Sequence, residues 1–352
     1  MKNSNPFSLM FGKEPKAVID RNEQVKVIED AFLSSNPVSQ VFLITGVRGT
    51  GKTVLLSSIS KRFEQLDDWI VVELNPELDM LESLASEIYE KSHMKFRFAK
   101  KELSFSFNGL SFSISGDTPV SNVSTLLEKM LHILERQGKK VFIAIDEVSN
   151  NKNMKVFAQQ YQIFTRHDCP LFLLMTGLYE NIKGLLDEKT LTFLYRAPTI
   201  QLESLSKQDI AYSFEKILNV DRTSAIELAK LTKGYAFAYQ VLGFLCFENS
   251  YSSINESLII EYDRLLSKYV YEKIWSDLPT AEKEIVIALA KSKTQTTKEV
   301  MELISVNKET FSPYRSKLLN KGILIAPKWG VLDFSLPRFK EFVLNALLFE
   351  DF

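Results

Sequence analysis

The chain runs to 352 residues with 45 % apolar and 25 % charged side chains, an ordinary globular composition that excludes disordered and fibrous classes. Lys plus Arg is 43 and Asp plus Glu is 44, a formal charge of −1, so no global electrostatic pull toward nucleic acid or anionic lipid follows. Cys169 and Cys246 form no CxxC pair and the histidines are only His93, His132 and His167, which excludes a disulfide scaffold and argues against zinc.

Met1 to Lys16 shows no apolar core of a secretory signal. The longest apolar run, Tyr235 to Phe247, is interrupted by Gln240 and is too short to span a bilayer. The expectation is a cytoplasmic chain with no membrane partner.

In chain order, Val41–Thr45 is a continuous apolar run of the kind a parallel strand buried on both faces needs. A Gly-rich turn follows, then a helix from about Gly51. Trp69 to Leu74 predicts a second strand, and Leu78, Leu81, Leu84 and Ile88 a helix after it. Leu103–Phe107 and Leu110–Ile114 alternate with period two around Asn108-Gly109, a pair suited to a type I′ turn, so a hairpin is inserted here. Its Phe105, Phe107, Phe112 and Ile114 have two uses, packing on the domain or meeting a partner. Val141–Ile145, Leu171–Met175 and Ile200–Leu202 complete a set of five strands alternating with helices, the signature of a doubly wound parallel sheet.

From Ser206 to about Lys273 the pattern is all-helical, with Ser206 and Asp221 as N-caps. Beyond Leu278 come helices over Glu282–Ala290, Thr297–Ile304 and Lys308–Asn320, the last closed by Gly322. Two short apolar runs, 323–326 and 331–336, follow. Three helices and a hairpin is the order of a winged helix-turn-helix. Pro313 is expected in the first turn of the third helix, where its missing N–H matters little.

The chemistry-bearing motif is Gly46-Val47-Arg48-Gly49-Thr50-Gly51-Lys52-Thr53, a complete G-x-x-x-x-G-K-[ST] between a strand and a helix. Its glycines let backbone N–H groups turn toward a phosphate chain at a helix N-terminus. Lys52 then sits near the β- and γ-phosphates of ATP, and Thr53 offers a hydroxyl to Mg²⁺. Val141–Glu147 supplies the other half: Asp146, at a strand end, holds Mg²⁺ through water, and Glu147 orients the attacking water as a base. Thr176 ends the next strand and either contacts the γ-phosphate or attacking water, or serves as a helix N-cap or turn hydroxyl. Arg196, just before the fifth strand, is either an arginine finger for a neighbouring subunit or half of a structural ion pair. Arg166 and Arg48 are weaker candidates for that cation. The fold class is thus α/β, a P-loop NTPase parallel sheet flanked by helices, followed by an all-α lid and a C-terminal winged helix-turn-helix. The expected domains are 1–205 (with a hairpin inserted at about 102–115), 206–274 and 275–352.

With these motifs in place, the chain resembles AAA+-type ATPases of the bacterial and archaeal group allied to origin-recognition-like initiator ATPases. Pro6-Phe7 and Phe11-Gly-Lys-Glu-Pro15 resemble the group's N-terminal lead-in. Val18-Ile-Asp-Arg21-Asn-Glu23 resembles its adenine-side box, with Asp20 where glycine is usual. Leu191–Arg196 resembles the stretch before the fifth strand. Lys233-Gly234-Tyr235 resembles the start of the lid helix, which here carries no second-sensor arginine after Gly234. Tyr314–Ile323 and Phe334–Pro337 resemble the group's winged helix. The resemblance implies an activity class rather than a pathway.

Between Lys291 and Lys340 there are 10 basic and 4 acidic residues, and binding to phosphates needs such local clusters. Lys308, Arg315, Lys317 and Lys321 fall on or beside the third helix and Lys328 in the wing. The expectation is a Mg²⁺-dependent ATPase whose nucleotide state regulates engagement of double-stranded DNA. The alternative is an ATP-gated signalling or adaptor switch with slow turnover that uses the winged helix for protein contacts. A homo-oligomer and an unidentified protein are the other partners in view.

Overall fold

The computed structural model describes residues 4–10, 14–92, 102–107, 110–114 and 122–350. They form two compact units, one of Arg21–Thr45 and Lys52–Gln201, the other of Met1–Asp20, Gly46–Gly51 and Leu202–Phe352.

The first, an α/β unit, runs α1 (Asn22–Leu33), β1 (Val41–Thr45), α2 (Lys52–Glu64), β2 (Trp69–Glu73), α3 (Met80–Lys91), β3 (Glu102–Phe107), β4 (Leu110–Ile114), α4 (Val123–Arg136), β5 (Lys140–Ile145), α5 (Lys152–Arg166), β6 (Leu171–Gly177), α6 (Tyr179–Leu186), a 3₁₀ turn Thr192–Arg196 and β7 (Thr199–Gln201). The main sheet has the order β2-β5-β6-β1-β7 and is parallel throughout. Its strands are apolar at nearly every position because helices cover both faces. On one face, Phe32 of α1 meets Phe42, Phe142 and Phe172 with ring centroids 5.5, 6.0 and 5.1 Å away, and Phe63 of α2 stacks on Phe142 at 4.8 Å. On the other, Leu84 and Ile88 of α3, Leu127 and Leu131 of α4 and Phe157 of α5 share a buried cluster with Leu43, Ile143 and Leu173. Leu78 is not part of α3: Asp79 caps that helix through the Leu81 and Glu82 amides, leaving Leu78 57 % exposed. Strands β3 and β4 form the inserted antiparallel hairpin, pairing Phe105 with Phe112 and Phe107 with Leu110. The Asn108-Gly109 turn, the side chains of the hairpin, His93 and Phe11–Lys13 of the N-terminal lead-in lie outside the described residues.

The second, helical unit runs α7 (Lys207–Leu218), α8 (Arg222–Leu231), α9 (Ala236–Asn249), α10 (Glu256–Leu266), a π-helical turn Ser267–Tyr271, α11 (Glu272–Asp277), α12 (Thr280–Lys291), α13 (Thr297–Leu303), α14 (Lys308–Asn320), β8 (Leu324–Lys328), β9 (Val331–Phe334) and α15 (Phe339–Glu350). Ser206 and Asp221 do cap α7 and α8, accepting from the amides of Asp209 and of Thr223 and Ser224. Helix α9 is buried on most sides, and its Gln240 explains the polar break in the run. The Gln240 amide donates to the Ala17 carbonyl at 2.7 Å and accepts the Ser8 N–H at 3.0 Å, fastening the N-terminal segment. Phe7 seats beside Gly243, where any β-carbon would come within 2.3 Å of the ring. Strands β8 and β9 are antiparallel. Pro313 falls at the sixth residue of α14, not in its first turn, because Asn307 caps the helix at the Thr310 amide. The proline therefore removes the bond that would reach the Glu309 carbonyl.

Candidate functional site

In the α/β unit the parallel strands end on one edge, and Ile145 pairs with Met175 in register, so Asp146 and Thr176 follow as neighbours. Thr53, in the first turn of α2, donates from Oγ1 to Asp146 Oδ2 at 2.6 Å. Thr176, fully buried, donates from Oγ1 to the other carboxylate oxygen, Oδ1. That same oxygen accepts the Glu147 N–H at 3.0 Å. Thr53, Thr176 and Glu147 thus meet on the Asp146 carboxylate, and Thr176 Oγ1 also accepts the Glu147 N–H at 3.4 Å, in the turn that follows. Glu147 itself is exposed and has φ 51°. A side chain in that left-handed region is strained by about 1–2 kcal/mol, and the sharp turn it makes comes directly after Asp146, one residue beyond the end of β5.

The segment beyond Glu147 is braced in a way the sequence does not reveal. Glu77, after β2, accepts from Ser149 Oγ at 2.9 Å and Asn151 Nδ2 at 3.0 Å. Asn153 Nδ2 donates to the Glu77 carbonyl at 3.0 Å. These partners lie more than 70 residues apart in sequence, and no local pattern pairs them.

Lys52, buried, opens α2. Arg196 is exposed at the end of the 3₁₀ turn and has no ion pair among the described residues, so the ion-pair reading finds no partner. Arg166, exposed at the end of α5, likewise stays apart from the Thr53–Asp146–Thr176 group.

Residues Gly46–Gly51 belong to the helical unit. Gly49 and Gly51 have φ +76° and +91°, values that favour glycine and that produce the turned loop. Thr50 Oγ1 donates to the Val47 carbonyl at 2.9 Å. The next two carbonyls are taken by residues at the start of α9: Tyr235 Oη donates to Arg48 O at 2.5 Å and the Phe237 N–H to Gly49 O at 3.0 Å. A β-carbon on Gly49 would lie 2.2 Å from that tyrosine oxygen. Burial pushes the Tyr235 hydroxyl far above its ordinary range, so it stays a neutral donor. Arg48 directs Nε toward Asp277 at 3.5 Å. Tyr235, Phe237 and Asp277 are neighbours of the loop that sequence reasoning missed; Gly234-Tyr235 was the one available signal.

The oxygen donors of Thr53, Asp146 and Thr176 form a hard set suited to a Mg²⁺-type cation. Among the described residues there is no group of three His, Cys, Asp or Glu that could hold a metal ion. Within the α/β unit, the N-terminus of α2 suits a phosphate chain. The residues present therefore fit ATP with Mg²⁺.

On α14, Lys308 and Lys317 are exposed and Arg315 is half-buried. Lys321 differs from expectation. Its ammonium lies 2.5 Å from Glu282 Oε2, with side chains only 10 % and 2 % exposed, so it compensates a buried carboxylate and cannot reach a phosphate.

The strand order and helix layers define the class: the chain has the fold of the AAA+ ATPases. The Aeropyrum pernix ORC2 protein in its ADPNP-ADP complexes matches with a TM-score of 0.57 and 14 % identity, over 97 % of each chain. The ADP form of the same protein matches at 0.53, with 14 % identity and the same coverage. At such identity the likeness is one of fold. Residues 268–343 match a family described as a domain of unknown function (DUF8462). No curated protein matches the chain. No helix among the described residues is long and apolar enough to cross a membrane.

Proposed function

We propose that this chain binds ATP with Mg²⁺ through Gly46–Thr53 and Asp146, hydrolyses it, and uses its nucleotide state to regulate engagement of double-stranded DNA. The observation that carries the reading is the Asp146 carboxylate, bonded by Thr53 on one oxygen and Thr176 on the other. In this reading the Gly46–Gly51 amides and Lys52 hold the phosphates, and Thr53 with Asp146 holds the cation. When bound, Mg²⁺ neutralises charge on the phosphate oxygens. Glu147, just beyond that carboxylate, accepts a proton from the attacking water, while Thr176 fixes the carboxylate and supplies a further hydroxyl. Arg196, exposed and without an ion pair among the described residues, is available to serve a neighbouring copy in a homo-oligomer.

The domain reading divides the chain into an ATPase domain, 1–205, a helical lid, 206–274, and a winged helix, 275–352. The elements α12–α14 and β8–β9 support the last, with Lys308, Arg315 and Lys317 offered to DNA phosphates. A slow switch contacting an unidentified protein is favoured by one specific feature: α9 opens on Tyr235, bonded to the loop backbone, and brings no arginine to the phosphates. The test is ATP turnover by the full chain with and without Mg²⁺ and duplex DNA, with Lys52→Ala as control. Turnover stimulated by duplex supports the first reading. ATP held with negligible turnover and no response to DNA supports the switch. Undiminished ATP affinity in Lys52→Ala overturns the nucleotide assignment of the loop.

A further inference from the structure

Trp329 is 100 % exposed, whereas Trp69 and Trp275 are 6 % and 8 % exposed. It occupies the tip of the β8–β9 hairpin, where Lys328 pairs with Val331 and Gly330 takes φ +74°. The tip is pinned from behind. The Thr297 N–H donates to the Gly330 carbonyl at 2.8 Å, the Leu332 N–H to the Gln295 carbonyl at 2.9 Å, and Thr296 bridges Val331. The segment it rests on is fixed in turn by Glu299, whose carboxylate accepts from Ser292 Oγ at 2.6 Å and from the Lys293 and Thr294 amides at 2.9 and 2.8 Å. A large aromatic ring is therefore held out in solvent by an ordered support rather than by a loose loop.

The charges around it have one sign to spare. Lys328 adjoins the ring in sequence and is exposed. Lys298, 85 % exposed at its side chain, follows the residue that bonds Gly330, with Glu302 only at 3.9 Å. The nearby acids are engaged internally: Glu299 by its own segment, and Asp333 by Lys233 at 3.2 Å. A flat π-face bordered by exposed cations matches a nucleic-acid strand, whose bases stack on aromatics while its phosphates meet lysines. An apolar protein surface would find no complement in those lysines.

We propose that Trp329 stacks on an unpaired nucleobase of DNA, with the flanking phosphates beside Lys328 and Lys298, so that the hairpin selects duplex carrying a single-stranded stretch. This rests on the DNA reading above and extends it from paired to unpaired DNA. The test uses the full chain at low salt, titrated with a forked DNA and with a fully paired duplex of the same length. Tryptophan emission should change on binding the fork, and that change should vanish in Trp329→Phe because the two remaining tryptophans are buried. Trp329→Ala should bind the fork roughly 5- to 150-fold more weakly, the scale of one missing base stack, while its affinity for the paired duplex stays within about twofold. Equal affinity of wild type and Trp329→Ala for the fork overturns the proposal while leaving the DNA reading intact. Equal losses on both DNAs overturn the unpaired-base selection. A wild-type chain that binds neither DNA overturns both readings.

Discussion

Replacing Gly49 by alanine tests the tie between the Gly46–Gly51 loop and the start of α9. The substitution forces an L-residue into φ +76°, costing about 1–2 kcal/mol. It also places a β-carbon 2.2 Å from Tyr235 Oη and 2.9 Å from Cζ. The hydroxyl must leave, and its bond to the Arg48 carbonyl breaks, adding about 1–3 kcal/mol for an unbonded buried group. Gly49→Ala should therefore destabilise the helical unit by about 2–5 kcal/mol. Tyr235→Phe alone should cost about 1–3 kcal/mol through the same broken bond. In the double variant that loss is counted once, so the total should fall short of the sum by about 1–3 kcal/mol. Urea denaturation of all four proteins, followed by far-ultraviolet circular dichroism, measures the cycle. Additivity within about 0.5 kcal/mol would refute the placement of the tyrosine hydroxyl over Gly49.

Glu147→Gln should retain ATP but lower turnover at least roughly 10²-fold, the scale of a missing general base; a wild-type rate in a phosphate-release assay would make Glu147 structural. Changing Arg315 and Lys317 together to alanine should weaken duplex binding and lower the slope of log affinity against log salt by about 0.9 for each phosphate no longer neutralised. Anisotropy titrations at several salt concentrations read this, and an unchanged slope would remove α14 from the DNA surface. Hydrogen bonds from Ser292 and Thr294 and from the 293 and 294 amides hold the Glu299 carboxyl at about 2, below its ordinary 4.5. Because the folded value is lowered, the stabilisation is full above about 4.5 and is lost as pH falls from there toward 2. Comparing urea midpoints at neutral and acid pH, Glu299→Gln should be less stable than wild type at neutral pH, and the gap should close on acidification.

Much of the architecture is legible in the sequence because its signals are local. Val41–Thr45, Val141–Ile145 and Leu171–Met175 are continuous apolar runs, and strands buried on both faces require such runs. Helices α12 to α14 lie within two residues of their expected bounds, since caps and apolar spacing are read from neighbours in the chain. The placing of Gly46–Gly51 between β1 and α2, and of Asp146-Glu147 just beyond β5, was legible because these motifs use fixed short spacings. Local signals also misplace residues whose partner is distant. Lys321 reads as one more surface cation until Glu282, 39 positions earlier, draws it inward, and a buried carboxylate demands a countercharge. Pro313 is expected in the first turn of its helix, yet under the Asn307 cap it falls at the sixth residue of α14. Tyr235 on Arg48, Glu77 beneath Ser149 and Asn151, and the solitary exposure of Trp329 depend on which surfaces meet when the chain packs. That choice was made by the tertiary structure alone, because hydrogen-bond reach and solvent exposure are properties of position in space, and residues with the same local pattern receive different neighbours.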